Sequence, residues 1–563
     1  MKNIVARNYK IICSIFFLLF LCGGSSYAEK SAEAKNSGEK PRIVNIINFI
    51  RLLEPRDAAI TQDVLYQTVV NQLEMMKKYK LGGTFLLQYD ALMDSRYQKL
   101  LKGLPKGFEV GAWWEIPQPL VEKAGLKWRG RYPWDWHANV GFSIGYTPEE
   151  REKLVDVYMK NFKNIYGYYP KSVGSWFIDE HTLNYMYKKY GIVASCNCRD
   201  QIGTDGYTLW GGYWNQAYYP SKKNMFMPAQ NEKNQIPVPV FRMLGSDPVR
   251  QYDDGLGKEI QGVATLEPAF HHDGGGDSTW VDWYFNEFLN GACMNFAYVQ
   301  AGQENSFTWE RISKGFEIQM KLFANLKDEN KIKIETLSET GKWFRKNYKL
   351  TPATSVTVLN GLKGDTKKTV WFDSRFYRAN ILWENGTLRF RDIHLFDERL
   401  PSDYLTEKVT TSNCAFYTLP FIDGHQWSTD SQRAGLRLKA VVNGKEILLE
   451  GSKPVVDDSK KDKLHISWPL KNIAGNFVID FDERGMQMKL ESKTSVNWFL
   501  DFTTADSVRL PFTKISSNRI DCKFKELDYH VDVNKGSISV PGKETVYRLA
   551  PAKGIISLDF SKR

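Results

Sequence analysis

Four acids follow short apolar runs in the first part of the chain. Glu115 follows Trp113-Trp114, Asp179 follows Trp176-Phe177-Ile178, Asp200 follows Cys198-Arg199, and Glu267 follows Ala264-Thr265-Leu266. Asp and Glu are poor strand formers, so an acid closing such a run marks the place where a strand stops. If the strands are parallel, all four acids project toward one face, the face on which α/β barrels carry their chemistry. Paired carboxyls there suit glycoside hydrolysis. One gives a proton to the leaving oxygen, and the other attacks the anomeric carbon or activates water. A carboxyl beside tryptophan loses hydration and its pKa rises, which suits the acid. The competing reading of each acid is a buried ion pair. For Asp179 it is also a helix cap, because Leu183, Met186, Tyr187 and Tyr190 begin a helical pattern straight after it.

Candidate binding groups surround these acids. Of 17 tryptophans, eleven lie between Trp113 and Trp309, and flat apolar faces are what sugar rings stack on. Trp113 and Trp114 adjoin Glu115. The insertions Trp134-Asp135-Trp136-His137 and Asp205 to Trp214, with Trp210 inside it, read as loops over the same face. Asp135, His137 and Asp205 are placed to bond hydroxyls, as are Glu180, Arg199 and His271. An aromatic core is the alternative for part of this set. His271-His272-Asp273 raises a divalent metal as a minority reading, but no His-x-x-x-His or Asp-Asp pair completes a usual site, so no cofactor is expected. Gly274–Gly276 lacks the strand–turn–helix setting of a phosphate loop. No Gly-x-Ser-x-Gly elbow is present, which argues against a serine esterase.

The elements that must position these groups alternate. Apolar runs at 43–50, 84–87, 108–114, 171–178, 192–196, 238–244 and 262–266 read as strands, with a further apolar run at 294–299. Between them lie helical stripes at 61–79 and around 94–102. A third stripe is opened by the capping box Thr147-Pro148-Glu149-Glu150. Such alternation predicts an α/β fold, a (β/α)7-type barrel over residues 41–350. Near 350 the period changes from helical to alternating. Asn385-Gly386 and Asn443-Gly444 each separate two β runs, and Glu483-Arg484-Gly485 separates a third pair. Residues 351–563 therefore predict an antiparallel β-sandwich.

At 563 residues the chain exceeds one core. Its first 28 residues have basic, apolar and small-residue regions in the order of a signal peptide, and 29–40 is a polar, flexible lead. Cleavage after Ala28 is favoured over lipidation of Cys22. The mature chain is then exported, periplasmic or extracellular, with no later run long enough to span a membrane. Cys196, Cys198, Cys293, Cys414 and Cys522 are too scattered for a disulfide framework and read as packing residues. The formal charge of +11 is spread out, which argues weakly for an acidic substrate and against nucleic acid.

The order of elements over 41–345 resembles the glycoside hydrolase/deacetylase β/α-barrel superfamily. Tyr168-Tyr-Pro-Lys-Ser-Val-Gly-Ser-Trp-Phe-Ile-Asp-Glu-His-Thr-Leu, followed by Lys-Lys-Tyr-Gly-Ile192, is similar to the polysaccharide deacetylase core. Family 57 glycoside hydrolases share that barrel, and the two-domain chain is also similar to secreted proteins of gut Bacteroidetes. The resemblance implies a nucleophilic carboxylate after strand four and an acid after strand seven, matching Asp179 and Glu267, with Glu115 and Asp200 in support. The deacetylases' Asp-Asp and His-x-x-x-His motifs are absent, and family 57 has Glu where this chain has Asp179. The expectation is a secreted carbohydrate-active enzyme acting on a poly- or oligosaccharide. The alternatives are a metal-dependent deacetylase and a non-catalytic glycan-binding protein.

Overall fold

The structure is a computed structural model that describes residues 40–562 except Ser507 and Lys543. The expected signal peptide and nearly all of the expected polar lead fall outside the described residues. Lys40–Arg563 forms one compact unit.

Seven parallel strands run β7-β1-β2-β3-β4-β5-β6. They are β1 (Arg42–Ile50), β2 (Gly83–Leu87), β3 (Phe108–Trp113), β4 (Ser172–Gly174), β5 (Ala194–Asn197), β6 (Val240–Arg242) and β7 (Ala297–Ala301). β1 pairs with β7 at one edge and β2 at the other, and both of its faces are buried, Val44, Ile46 and Ile50 packing on one side and Ile43, Ile47 and Phe49 on the other. This is why its sequence is a near-continuous apolar run rather than an alternating one. Helices α1 (Gln62–Lys78), α2 (Pro148–Tyr166), α3 (Glu180–Tyr190), α4 (Ser278–Asn290), α5 (Trp309–Asp328) and α6 (Leu337–Asn347) punctuate the strands. The box at Thr147 and Glu150 caps α2 as the sequence predicts, and Gly167 ends it at φ +83°.

The barrel is nearly closed. Among the described residues no backbone pairing joins β6 to β7. Side chains fill the seam: Phe241 and Tyr298 sit 4.7 Å apart by ring centroids, and Gln216 Oε1 accepts from the Tyr298 backbone N–H at 3.0 Å.

One expected strand is not formed. Residues 262–266 make a single bridge, Ser246 to Thr265, and the seventh strand is 297–301 instead. Leu266 N–H bonds the carbonyls of Leu244 and Gly245, and Gly275 N–H bonds that of Thr265. The segment is a loop folded into the barrel mouth, apolar because it is buried and not because it is paired. Glu267 therefore follows a loop. β4 is also shorter than its apolar run, because Ser175 turns the chain by donating to the carbonyls of Trp114 and Phe177.

From Thr354 onward the strands are antiparallel, in a ten-stranded and an eight-stranded sheet that share one apolar core. Asn385-Gly386 and Asn443-Gly444 turn with all four φ angles positive, as tight hairpins require. The five cysteines of the described residues are buried and unbridged. A small third sheet joins the two parts: Cys414–Tyr417 runs parallel to Tyr207–Trp210, which pairs with Gln201–Thr204. No helix among the described residues is long and apolar enough to cross a membrane.

Candidate active site

Arg51, one residue beyond β1, is the centre of the barrel mouth. It is 2% exposed and faces three carboxyls. Its Nε and Nη2 bond both oxygens of Glu115 at 2.8 and 2.6 Å, and Gln88 adds a third bond to Glu115 at 2.7 Å. Its Nη1 lies 2.8 Å from Glu304 Oε2, an ion-pair distance at an angle outside a hydrogen bond, and 3.9 Å from Glu54 Oε2. The Trp134 ring packs against its guanidinium at 5.1 Å. Glu304 follows β7 by three residues and Glu115 follows β3 by two, so these acids reach the mouth by the same rule.

Charge counting separates their protonation states. Arg51 and Arg56 stand against Glu54, Glu115 and Glu304, so one proton is in demand. Burial pushes Glu304 up to about 7, against the opposing pull of Arg51 and Arg56. Burial also raises Glu54, but two 2.7 Å bonds from Arg56 and the charge of Arg51 hold it below the ordinary range. Glu267 sits beside this group, with Gln303 Nε2 bonding its Oε1 at 3.1 Å and Thr265 its Oε2 at 2.8 Å. Burial raises it too, opposed by those bonds and by Arg199.

Glu54, Arg56, Glu267 and Glu304 line one cleft of about 400 Å³, with Trp176, Arg199, Asp205, Tyr207, Phe270, Phe307 and Arg311. A second hollow shares Asp57, Ile60, Ser306, Phe307 and Arg311 with it, so the two continue as one groove. Leu244 and Asp205 in the cleft and Thr308 in the adjoining hollow have positive φ, at 72°, 55° and 61°. Non-glycine residues held there carry strain, which clusters at functional sites.

The other residues singled out in the sequence lie elsewhere. Asp179 is fully buried as the cap of α3. It accepts from Thr182 and Ser143 and pairs with Arg151 at 3.0 Å. Burial raises its carboxyl, but Arg151 and these bonds bring it below the ordinary value. It lines neither hollow, so Asp179 and Glu267 do not face each other across the cleft. Asp200 is locked between Arg242 at 2.8 Å and Arg378. Trp113 and Trp114 are core, Trp113 stacked on Phe49 at 4.0 Å. Asp135 is chelated by Arg131, which brings it down to about 2 against the effect of burial. Trp136 is half-buried under Arg131 and Arg56, with His137 beside it. Trp210 donates to Asp423 at 2.8 Å, and Trp214 stacks on Trp371 at 3.8 Å. His271 is exposed and bonds the Arg311 carbonyl, while Asp273 pairs with Lys363. Among the described residues no three His, Cys, Asp or Glu side chains gather as metal ligands.

Of the expected set, Arg199, Asp205 and Glu267 share the cleft. Glu54, Arg56, Glu304 and Arg311 were missed, although Glu54 and Glu304 carry the same signal, an acid just past an apolar run.

Glu180 yields a prediction of its own. Burial, then the charge of Asp179, push its carboxyl up to about 8, and its Oε1 has no partner. The folded protein therefore holds a proton that the unfolded chain releases near pH 4–5, and stability falls as pH rises from there to about 8. Glu180→Gln, which mimics the protonated acid, is expected to gain on the order of 2 kcal/mol at pH 8 and nothing at pH 4. Urea midpoints at the two pH values check this, and an equal shift at both would refute it.

No family model and no curated protein sequence matches the chain. Among solved structures it is similar to a glycoside hydrolase/deacetylase candidate from Parabacteroides distasonis. That likeness has 16% identity and a TM-score of 0.49, covering 68% of this chain and 89% of the other. It is also similar to a 4-alpha-glucanotransferase from Thermococcus litoralis, at 10% identity and a TM-score of 0.28, covering 93% and 100%. A family 4 acetyl xylan esterase from Clostridium thermocellum, solved with cobalt, shows 9% identity and a TM-score of 0.25 over 53% and 91%.

Proposed function

We propose that this protein is a carbohydrate-active enzyme that hydrolyses glycosidic bonds, exported by its N-terminal leader. The observation that carries the reading is the pair Glu54 and Glu304. Both approach the same nitrogen of Arg51, at 3.9 and 2.8 Å, so their oxygens lie no more than about 7 Å apart, a limit that admits the carboxyl spacing of glycosidases. Their environments drive their titrations apart, the usual sign of an acid and a base sharing one site. Protonated Glu304 gives its proton to the leaving oxygen. Ionised Glu54 attacks the anomeric carbon or takes a proton from water, and the configuration of the product tells which. Glu267, on the same cleft, is the second candidate donor. Trp176, Tyr207, Phe270 and Phe307 supply rings for sugar faces. In this reading Glu115 orients Arg51, while Asp179 and Asp200 hold the scaffold.

The mature protein is to be incubated with a panel of poly- and oligosaccharides while reducing ends and acetate are followed together. New reducing ends without acetate are expected. Acetate without reducing ends would replace hydrolysis by deacetylation, and binding without either product would leave a lectin-like protein.

A further inference from the structure

Arg51, Arg151, Arg242, Arg378 and Arg391 are buried, and each has a carboxylate against it. Arg199 breaks this rule. It follows β5 by two residues and is 2% exposed. Its Nη1 donates to the Asp200 carbonyl at 2.6 Å and its Nε has no hydrogen-bond partner. Among the described residues no carboxylate oxygen lies within 4.0 Å of its guanidinium. The charges of Glu267 and Asp200 reach it only from beyond contact, and a buried guanidinium with no carboxylate bonded to it favours a ligand that completes the site. Arg199 lines the cleft, so the missing counter-ion has a route to it.

A second arginine on the same cleft also has no carboxylate in contact, although it is open to water. Arg311, in the first turn of α5, is exposed and rests on the Phe307 ring at 4.7 Å, with no carboxylate partner among the described residues. The remaining cleft arginine, Arg56, is occupied by Glu54. Two unspent guanidinium forks on one cleft match a planar or tetrahedral anion.

We propose that Arg199, with Arg311, binds an anionic substituent of the glycan, a carboxylate or a sulfate ester, and that the preferred substrate is an acidic polysaccharide. The inference rests on the hydrolase reading for the word substrate, but the anion site stands on the arginines alone. The spread positive charge of the chain agrees with it.

Calorimetric titrations of the full-length mature protein test it, in the Glu304→Gln background so that turnover does not intrude. The probes are oligogalacturonate and the same oligosaccharide with its carboxyls reduced. A sulfated galactan oligosaccharide and its desulfated form make the second pair. Whichever pair fits, the acidic member is expected to bind on the order of 30-fold tighter, Arg199→Met to erase that preference, and Arg199→Lys to keep part of it. Arg311→Gln, at an exposed position, is expected to weaken the preference without touching the fold, and it carries the test should Arg199→Met fail to fold. Equal binding of acidic and neutral members, no binding of either acidic probe, or a preference untouched by these variants overturns the proposal. Binding of the acidic probe with no cleavage by the wild-type protein would remove the hydrolase reading and leave the anion site. Equal cleavage of acidic and neutral glycans would do the reverse.

Discussion

Glu304→Gln is expected to lower kcat by about 10²- to 10⁴-fold on any glycan the protein cleaves, the range lost with a general acid. The argument is one of charge. Arg51 is saturated by Glu115 through two short bonds, and Arg56 by Glu54. Glu304 is left with a single ion-pair contact in a buried site, and so keeps its proton up to about pH 7. A donor that must be protonated works below that value, so wild-type kcat is expected to fall as pH rises through 7. The variant should lose that limb as well as rate, because glutamine does not titrate. A leaving group that needs no protonation, such as a nitrophenolate, should restore much of the lost rate. If the variant keeps more than about a tenth of the wild-type rate with the same pH profile, the donor is another group, and Glu267 is the next candidate.

Arg378→Met is expected to cost about 3–5 kcal/mol of folding stability, among the largest single losses in the chain. Arg378 is fully buried. It joins Asp200, at the end of β5, to Asp392 in the ten-stranded sheet, which it holds through two bonds at 2.8 and 2.9 Å. Trp210, Trp214 and Trp371 surround its guanidinium at 5.5 to 5.8 Å, so water does not replace it. Methionine fills similar space but leaves buried Asp392 without its arginine and Asp200 with Arg242 alone. Adding Asp392→Asn should recover part of the loss, because the stranded charge is then gone. A drop below about 1 kcal/mol in urea unfolding would show that Asp200 and Asp392 do not depend on this arginine.

Strands β1 to β3 are legible because each is buried on both faces, which writes an apolar run that stops at a polar or charged residue soon after the strand. The same logic misleads at 262–266, where loop burial writes the identical pattern. Arg51 and Glu54 were within reach, since Phe49-Ile50 is followed at once by Arg51-Leu-Leu-Glu54. The acid lies four residues past the strand, where the sequence alone does not fix its direction. Glu304 was hidden by taking the seventh strand one segment too early. Asp179 illustrates the opposite limit. Cap and catalyst use the same residue at the same junction, and only the position of Arg151, 28 residues upstream, separates them. The lone state of Arg199 is likewise a fact of spatial pairing that no local pattern encodes.

The small sheet linking Gln201–Thr204 and Tyr207–Trp210 to Cys414–Tyr417 bears on heredity more than on catalysis. It backs one wall of the cleft, at Tyr207, with a strand from a distant stretch of the gene. Recombination that exchanged the downstream half would remove the strand that supports Tyr207, so the barrel and that strand are expected to travel together.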